Sequence, residues 1–93
     1  MKDNGFFSTD KIPQPKPWNS LDHISPETYT QLKKDHPGLI RLREVSKLVC
    51  LSTAWIYAKM RSGEFPRAVK IGIHSVAWRA ADIYAWIESR PYA

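Results

Sequence analysis

The sequence is poor in features that define whole classes of protein. Its 93 residues include a single cysteine, Cys50, which cannot form an internal disulfide and favours a reducing, cytoplasmic location. Long apolar runs are missing, and Asp3 follows Lys2 at the N-terminus, so neither a signal peptide nor a membrane span is expected. A chain of this length has room for one small domain with a marginal core.

Enzyme motifs are also missing from the sequence. The three histidines and Cys50 lack zinc-ligand spacing, and no glycine-rich phosphate loop is present. Ser52, His74 and Asp82 supply the residue types of a catalytic triad, but no nucleophile elbow surrounds Ser52. We therefore expect a protein that is not an enzyme and that uses no metal or cofactor.

Acidic residues are scarce in the second half of the chain. Residues 1–38 carry five basic and five acidic side chains, whereas residues 39–93 carry nine basic and four acidic ones. The whole excess of five positive charges therefore lies in the second half. This distribution predicts a polyanion partner for that half, and it favours double-stranded DNA.

Residues 1–25 are polar and rich in proline, which predicts an extended, poorly ordered arm. The aromatic residues Phe6, Phe7 and Trp18 are unusual in such an arm. They either pack loosely on the domain or contact a partner. Residues 26–38 form the next segment, a short helix and linker, because Ser25 is a good N-cap and Pro26 suits the first helical position.

The remaining residues, 39–93, read as one domain that begins with two short helices. The apolar run 39–42 could be a strand, and residues 44–49 have helical spacing. Only Cys50 and Leu51 separate them from Ser52, which caps a second helix that ends at Gly63. This is a helix-turn-helix arrangement, in which the second helix enters the groove of DNA.

The second helix has two different faces. Ile56 and Met60 point inward together with Leu51. The outward face, small at the start of the helix and basic at its end, consists of Thr53, Ala54, Tyr57, Ala58 and Arg61. Such a face suits a helix that lies in a groove.

Beyond Pro66 the apolar spacing changes to two, which predicts a β-hairpin with strands 68–71 and 76–79. We expect Val69 and Ile71 to share an apolar face with Val76 and Trp78. The polar side of the hairpin then presents Lys70, Arg79 and the tip around His74 to solvent.

A last helix over residues 82–88 points Ile83, Trp86 and Ile87 inward. The predicted fold class is α+β. It is a small winged helix-turn-helix with a two-stranded wing and an N-terminal extension.

Several motifs resemble those of the AlpA-like prophage regulators, which are similar to phage and genomic-island excisionases (recombination directionality factors) and share a MerR/excisionase-like fold. The resemblance covers roughly residues 39–90. The residues that carry it are Leu51-Ser52, Ile56-Tyr57, Gly63-Glu64-Phe65-Pro66, Val69-Lys70-Ile71-Gly72, Val76, Trp78 and Ile83 with Trp86-Ile87.

The resemblance implies that the second helix lies in the major groove and the wing over the backbone or minor groove. Where the family usually carries arginine this chain has Thr53 and Ala58, and the usual wing arginine corresponds to His74. The resulting candidate DNA-binding residues are Ser52, Thr53, Ala54, Tyr57, Ala58, Lys59, Arg61, Arg67, Lys70, His74, Ser75 and Arg79.

The expected function is that of an excisionase, or recombination directionality factor, which bends or coats attachment-site DNA for an integrase. The alternative is an AlpA-type transcriptional regulator of integrase or prophage genes. A second alternative is a protein-interaction module with weak DNA binding, for which Trp18 and Trp55 are candidate partner contacts. An integrase and further copies of the chain bound cooperatively on DNA are expected partners.

Overall fold

The computed structural model describes residues 16–93. The predictions for Phe6, Phe7 and the first part of the arm lie outside the described residues. In chain order the elements are α1 (Pro26–Asp35), β1 (Leu39–Ile40), α2 (Leu42–Val49), α3 (Thr53–Arg61), β2 (Val69–Lys70), β3 (Val76–Arg79) and α4 (Ala80–Glu88). Within the described residues, four α-helices pack with a three-stranded antiparallel sheet in the order β1-β3-β2, which confirms the predicted α+β winged helix-turn-helix.

Local capping sets several helix boundaries. Ser25 caps α1 by accepting a hydrogen bond from the Thr28 amide at 3.1 Å, with Pro26 at the first position. Ser52 caps α3 by accepting from the Trp55 amide at 3.1 Å. Gly63, with φ 81°, takes the predicted left-handed conformation just after α3.

The turn between α2 and α3 is built around Cys50. This residue is left-handed, with φ 62°, and it ends α2. The Ser46 hydroxyl donates a hydrogen bond to the Leu51 carbonyl and so links α2 to the start of α3. The helix-turn-helix is thus closed by a conformation that glycine adopts more easily than cysteine.

The sheet differs from the predicted hairpin in its register. Val69 lies opposite Ala77, and Lys70 lies opposite Val76. Because opposed residues share a face, Val76 lies on the same side as Lys70, and the prediction that it shares a face with Val69 is wrong. The strands of this hairpin are too short for alternation alone to set the register, and a shift of one residue exchanges the two faces.

Two further boundaries differ from the sequence prediction. Ile71 lies beyond β2 and is 45% exposed, so it is not part of an apolar strand face. Helix α4 follows β3 directly from Ala80, two residues earlier than expected, and α2 begins at Leu42 rather than residue 44. The first strand, which pairs with β3, adds a third member to the expected two-stranded wing.

The core joins the helix-turn-helix to the hairpin and α4. Its buried members are Val45, Ile56, Phe65, Trp78, Ile83 and Trp86. The Trp86 Nε1–H donates to the Glu64 carbonyl at 3.0 Å, and the Trp78 Nε1–H donates to the Pro66 carbonyl at 2.9 Å. The Gly-Glu-Phe-Pro motif is therefore a structural connection between α3 and the wing.

The described end of the arm packs on the domain. Trp18 bridges to Pro66 and stacks on His23, with ring centroids 4.7 Å apart. A short 3-10 helix, Ser20–Asp22, follows, and the buried Ser20 hydroxyl donates to Asp82 Oδ1 at 2.7 Å. These contacts supply order that the proline-rich composition did not predict.

Candidate nucleic-acid interface

Helix α3 presents the predicted outward stripe. Thr53, Ala54, Ala58 and Arg61 are exposed, whereas Ile56 on the other side is fully buried. Tyr57 lies within the stripe but is half-buried, because its ring packs edge-to-face on Trp78 at a centroid distance of 6.2 Å. The side chains at the start of this stripe are short, so another macromolecule can approach the helix closely.

A groove of about 420 Å³, here called the front groove, runs beside α3. Its lining residues are Arg41, Leu42, Arg43, Tyr57, His74 and Val76. It brings the predicted residues Tyr57 and His74 together with two exposed arginines that the sequence prediction missed. The Arg-x-Arg pattern around Leu42 was a usable signal, but the predicted helix began only after it.

The wing supplies further polar and apolar side chains, of which Lys70 shares the Val76 face of the sheet. Lys70 and His74 are exposed, and Ser75 is half-buried in the turn, where its carbonyl accepts from the Ile71 amide at 3.0 Å. Ile73 is 84% exposed at the tip. A single exposed apolar side chain is ordinary on a protein surface, so the interest of Ile73 comes from its place at the tip of the wing.

Lys59 differs from the other predicted cations because it is already engaged. Its Nζ lies 3.2 Å from Glu64 Oε1 and 5.2 Å from the centroid of the Trp55 ring. Hydrogen bonds from Ser62 and then from Lys59 lower the pKa of the Glu64 carboxyl. Lys59 therefore belongs to an intramolecular cluster at the end of α3.

Arg79 does not join the front groove. It lines a second cavity of about 480 Å³, here called the rear cleft, on the other side of β3. The lining residues of this cleft are Tyr29, Lys33, His36, Pro37, Gly38, Arg79 and Ala81. The predicted wing residues Lys70 and Arg79 thus lie on opposite faces of the sheet.

The other predicted residues have simpler surroundings. Ser52 uses its hydroxyl to cap α3, and Arg67 is exposed between Pro66 and β2. Of the candidate partner contacts, Trp18 packs against the core, and Trp55 packs edge-to-face on Trp86 at 6.5 Å. Both rings already have neighbours within the domain.

Two wider properties bear on the site. Over residues 16–93, no group of three or more His, Cys, Asp or Glu side chains could hold a metal ion. Among the described helices, none combines the length and the apolar character needed to cross a membrane.

The exposed α3, the turn before it and the wing beside it define a winged helix-turn-helix protein. Residues 38–91, more than half of the chain, match the family described as "Prophage CP4-57 regulatory protein (AlpA)". The chain belongs to this family, which confirms the resemblance seen in the sequence and implies a DNA-binding prophage regulator.

The chain is also 41% identical over 51 residues to "Uncharacterized protein ORF88" of Enterobacteria phage P4. The match covers 55% of this chain and 58% of that relative, so it spans less than two thirds of the relative's length. No solved structure matches the chain.

Proposed function

We propose that the chain binds duplex DNA with α3 in the major groove and with the front groove and wing on the backbone. The observation that carries this proposal is the front groove, which Arg41 and Arg43 line together with Tyr57 of α3 and His74 of the wing. Arginine forms bidentate hydrogen bonds to phosphate, and a helix fits the width of the major groove. The proposal assigns binding, and no catalytic step, to the chain.

We further propose that this binding is architectural, as in an excisionase acting at an attachment site of its mobile element. The exposed stripe offers Thr53, Ala54 and Ala58, whose short side chains give little base-specific readout. Specificity then comes from adjacent copies on the DNA and from how easily each sequence deforms. The exposed Ile73 supports deformation, because apolar side chains that enter the minor groove kink the duplex.

An AlpA-type regulator of integrase or prophage genes is the second candidate function. Family membership supports it equally, since the family description names a regulatory protein. Both functions use the same DNA-binding surface, and both place the protein with cytoplasmic DNA. They differ in what binding achieves, which is assembly of a recombination complex with an integrase in one case and control of a promoter in the other.

The interaction-module alternative has less support from the side-chain contacts. Trp18 stacks on His23, and Trp55 contacts both Lys59 and Trp86. A partner would therefore meet only the remaining edges of these rings. We retain the two residues as candidate contacts that operate alongside DNA binding.

The test measures affinity over a series of salt concentrations for a random duplex and for the attachment site of the element. If about four phosphates are neutralised, log K falls with log salt at a slope of about −3.6. Arg41→Ala and Arg43→Ala should each weaken binding to both duplexes. Each should also make the slope of log K against log salt shallower by about one unit. Lys34→Ala is the matched control, since Lys34 is exposed on α1 away from the front groove.

Salt-independent binding, or equal effects of Arg43→Ala and Lys34→Ala, would overturn the proposed surface. The architectural role is tested separately by excision of the element in cells that lack the gene. Loss of excision with unchanged integrase transcripts supports an excisionase. Normal excision with altered transcripts supports the regulator.

A further inference from the structure

The rear cleft gathers three basic side chains from separate parts of the fold. Lys33 comes from α1, His36 follows that helix, and Arg79 ends β3. Its seven described lining residues include no carboxylate. The cleft is therefore a concave, basic surface that lies partly outside the family match, which begins at residue 38.

Neighbouring contacts hold the walls of the rear cleft in place. The Tyr29 hydroxyl donates to Asp82 Oδ1 at 2.8 Å, and Lys33 Nζ lies 5.6 Å from the centre of the Tyr29 ring. The His36 ring stacks on Tyr84 with centroids 3.6 Å apart. The hydrogen bond and the ring stacking place Tyr29 and His36 before any ligand arrives, whereas the exposed Lys33 stays available to a ligand.

The nearby carboxylate does not neutralise the cleft through an ion pair with its cations. Asp82 Oδ1 accepts hydrogen bonds from Ser20 and Tyr29 instead. Burial and then Asp82 raise the pKa of Tyr29, while the Arg79 guanidinium acts in the opposite direction. The Arg79 charge therefore lies close enough to the Tyr29 hydroxyl to influence it.

We propose that the rear cleft binds a phosphate group of the DNA backbone, distinct from the phosphates contacted at the front groove. Arginine and lysine supply the charged donors that phosphodiesters prefer, and the histidine adds an N–H donor. The proposal rests on the proposed function, because it assumes that the chain meets DNA. It adds a second DNA contact, to which α1 contributes Lys33.

The geometry limits where this second phosphate can come from. Val76 lines the front groove and Arg79 lines the rear cleft, on opposite faces of β3. A straight duplex held by α3 cannot reach both. The second phosphate therefore belongs either to the flank of the same duplex after a large bend or to a second duplex brought alongside.

The test compares the full chain with the Lys33→Ala/Arg79→Ala double variant. Lys34→Ala is the matched control, because Lys34 lies next to Lys33 in sequence but lines a different groove. A duplex of roughly 15 base pairs, about one and a half turns, reports front binding alone. Capture of a second labelled duplex by a bead-tethered duplex reports bridging, and ring closure of a fragment of about 150 base pairs, one persistence length, reports bending.

We expect the double variant to bind the short duplex as tightly as the wild type and to lose capture, ring closure or both. Loss of capture identifies a second duplex as the source, and loss of ring closure identifies the flank. If the flank is the source, log K on a long duplex should fall less steeply with log salt, by about one unit, because one phosphate contact is lost. Unchanged capture and ring closure, or equal losses with Lys34→Ala, would overturn the proposal.

Two controls keep the outcome specific. Sedimentation without DNA should give the same mass for wild type and double variant; a lower mass for the variant would assign the loss to protein–protein contact and overturn the proposal. If the alanine variant is unstable, Lys33→Gln/Arg79→Gln removes both charges but keeps part of each aliphatic side chain. If the front groove does not bind DNA, Arg41→Ala and Arg43→Ala will leave the affinity for the short duplex unchanged. This result is distinct from the results that would overturn the rear cleft.

Discussion

Val76 and Arg79 lie three residues apart on β3 and face opposite sides of the sheet, one lining the front groove and the other the rear cleft. The sequence suggests a single charged hairpin, but its side chains belong to two separate surfaces in the fold. Lys70 belongs with the first surface and Arg79 with the second. This division means that substitutions on the two sides should affect different properties of the DNA complex.

Ile73→Ala should reduce the bend of a bound duplex while leaving most of the affinity. The side chain is 84% exposed, so its loss should change stability by less than about 0.5 kcal/mol. Removing an apolar wedge removes the means of unstacking a base step. Energy transfer between dyes at the two ends of the duplex measures the bend. Ile71→Ala in the same loop is the control, and an equal bend for wild type and Ile73→Ala would contradict the proposed wedge.

Two cations on α3 should differ in their contribution to binding. Arg61→Ala should make the slope of log K against log salt shallower by about one unit, as expected for one lost phosphate contact. Lys59→Ala should leave the slope unchanged, because Lys59 is already engaged with Glu64 and Trp55. Fluorescence anisotropy over a potassium chloride series measures both slopes. Equal changes for the two variants would mean that Lys59 leaves Glu64 when DNA binds.

Short-range signals in the sequence predicted much of the fold. Ser25, Ser52 and Gly63 determine helix ends through their own side chains or backbone freedom, so local reading placed these boundaries well. The apolar spacing of Ile83 and Trp86 similarly predicted their burial in α4.

Long-range pairing explains what the sequence did not predict. The faces of the hairpin depend on which residue opposes Val76, and β1 adds its own pairing to β3. The rear position of Arg79 follows from that register. Arg41 and Arg43 are candidates because folding brings them beside Tyr57 and His74.

Cys50→Gly should stabilise the domain. Cys50 adopts φ 62°, a conformation that costs a residue with a Cβ about 1–2 kcal/mol. The greater flexibility of unfolded glycine offsets part of that gain, by about 0.5–1 kcal/mol. A net gain of about 0.5 kcal/mol should raise Tm by roughly 2–4 °C in thermal unfolding. Cys50→Ala keeps the Cβ and should not show this gain; equal Tm values for the two variants would contradict the strain at this turn.

Alkaline pH should weaken the fold through Tyr29. Burial and then the hydrogen bond to Asp82 raise the pKa of Tyr29 to about 12, above the ordinary value of 10. The folded state therefore holds this proton more tightly, so the contribution is complete below pH 10 and is lost as pH rises towards 12. Urea unfolding across this range should show a smaller loss for Tyr29→Phe than for wild type. Tyr92→Phe, at a fully exposed ring, is the control and should behave as wild type.

The two indole N–H groups that bind the Glu64 and Pro66 carbonyls have a mechanical consequence. They fasten the middle of the connection between α3 and the wing to the core, on either side of the buried Phe65, so the angle between helix and wing is fixed before DNA arrives. The entropy of ordering this connection is lost during folding rather than during binding. In the complex the protein then keeps its shape, and the duplex is the partner that deforms.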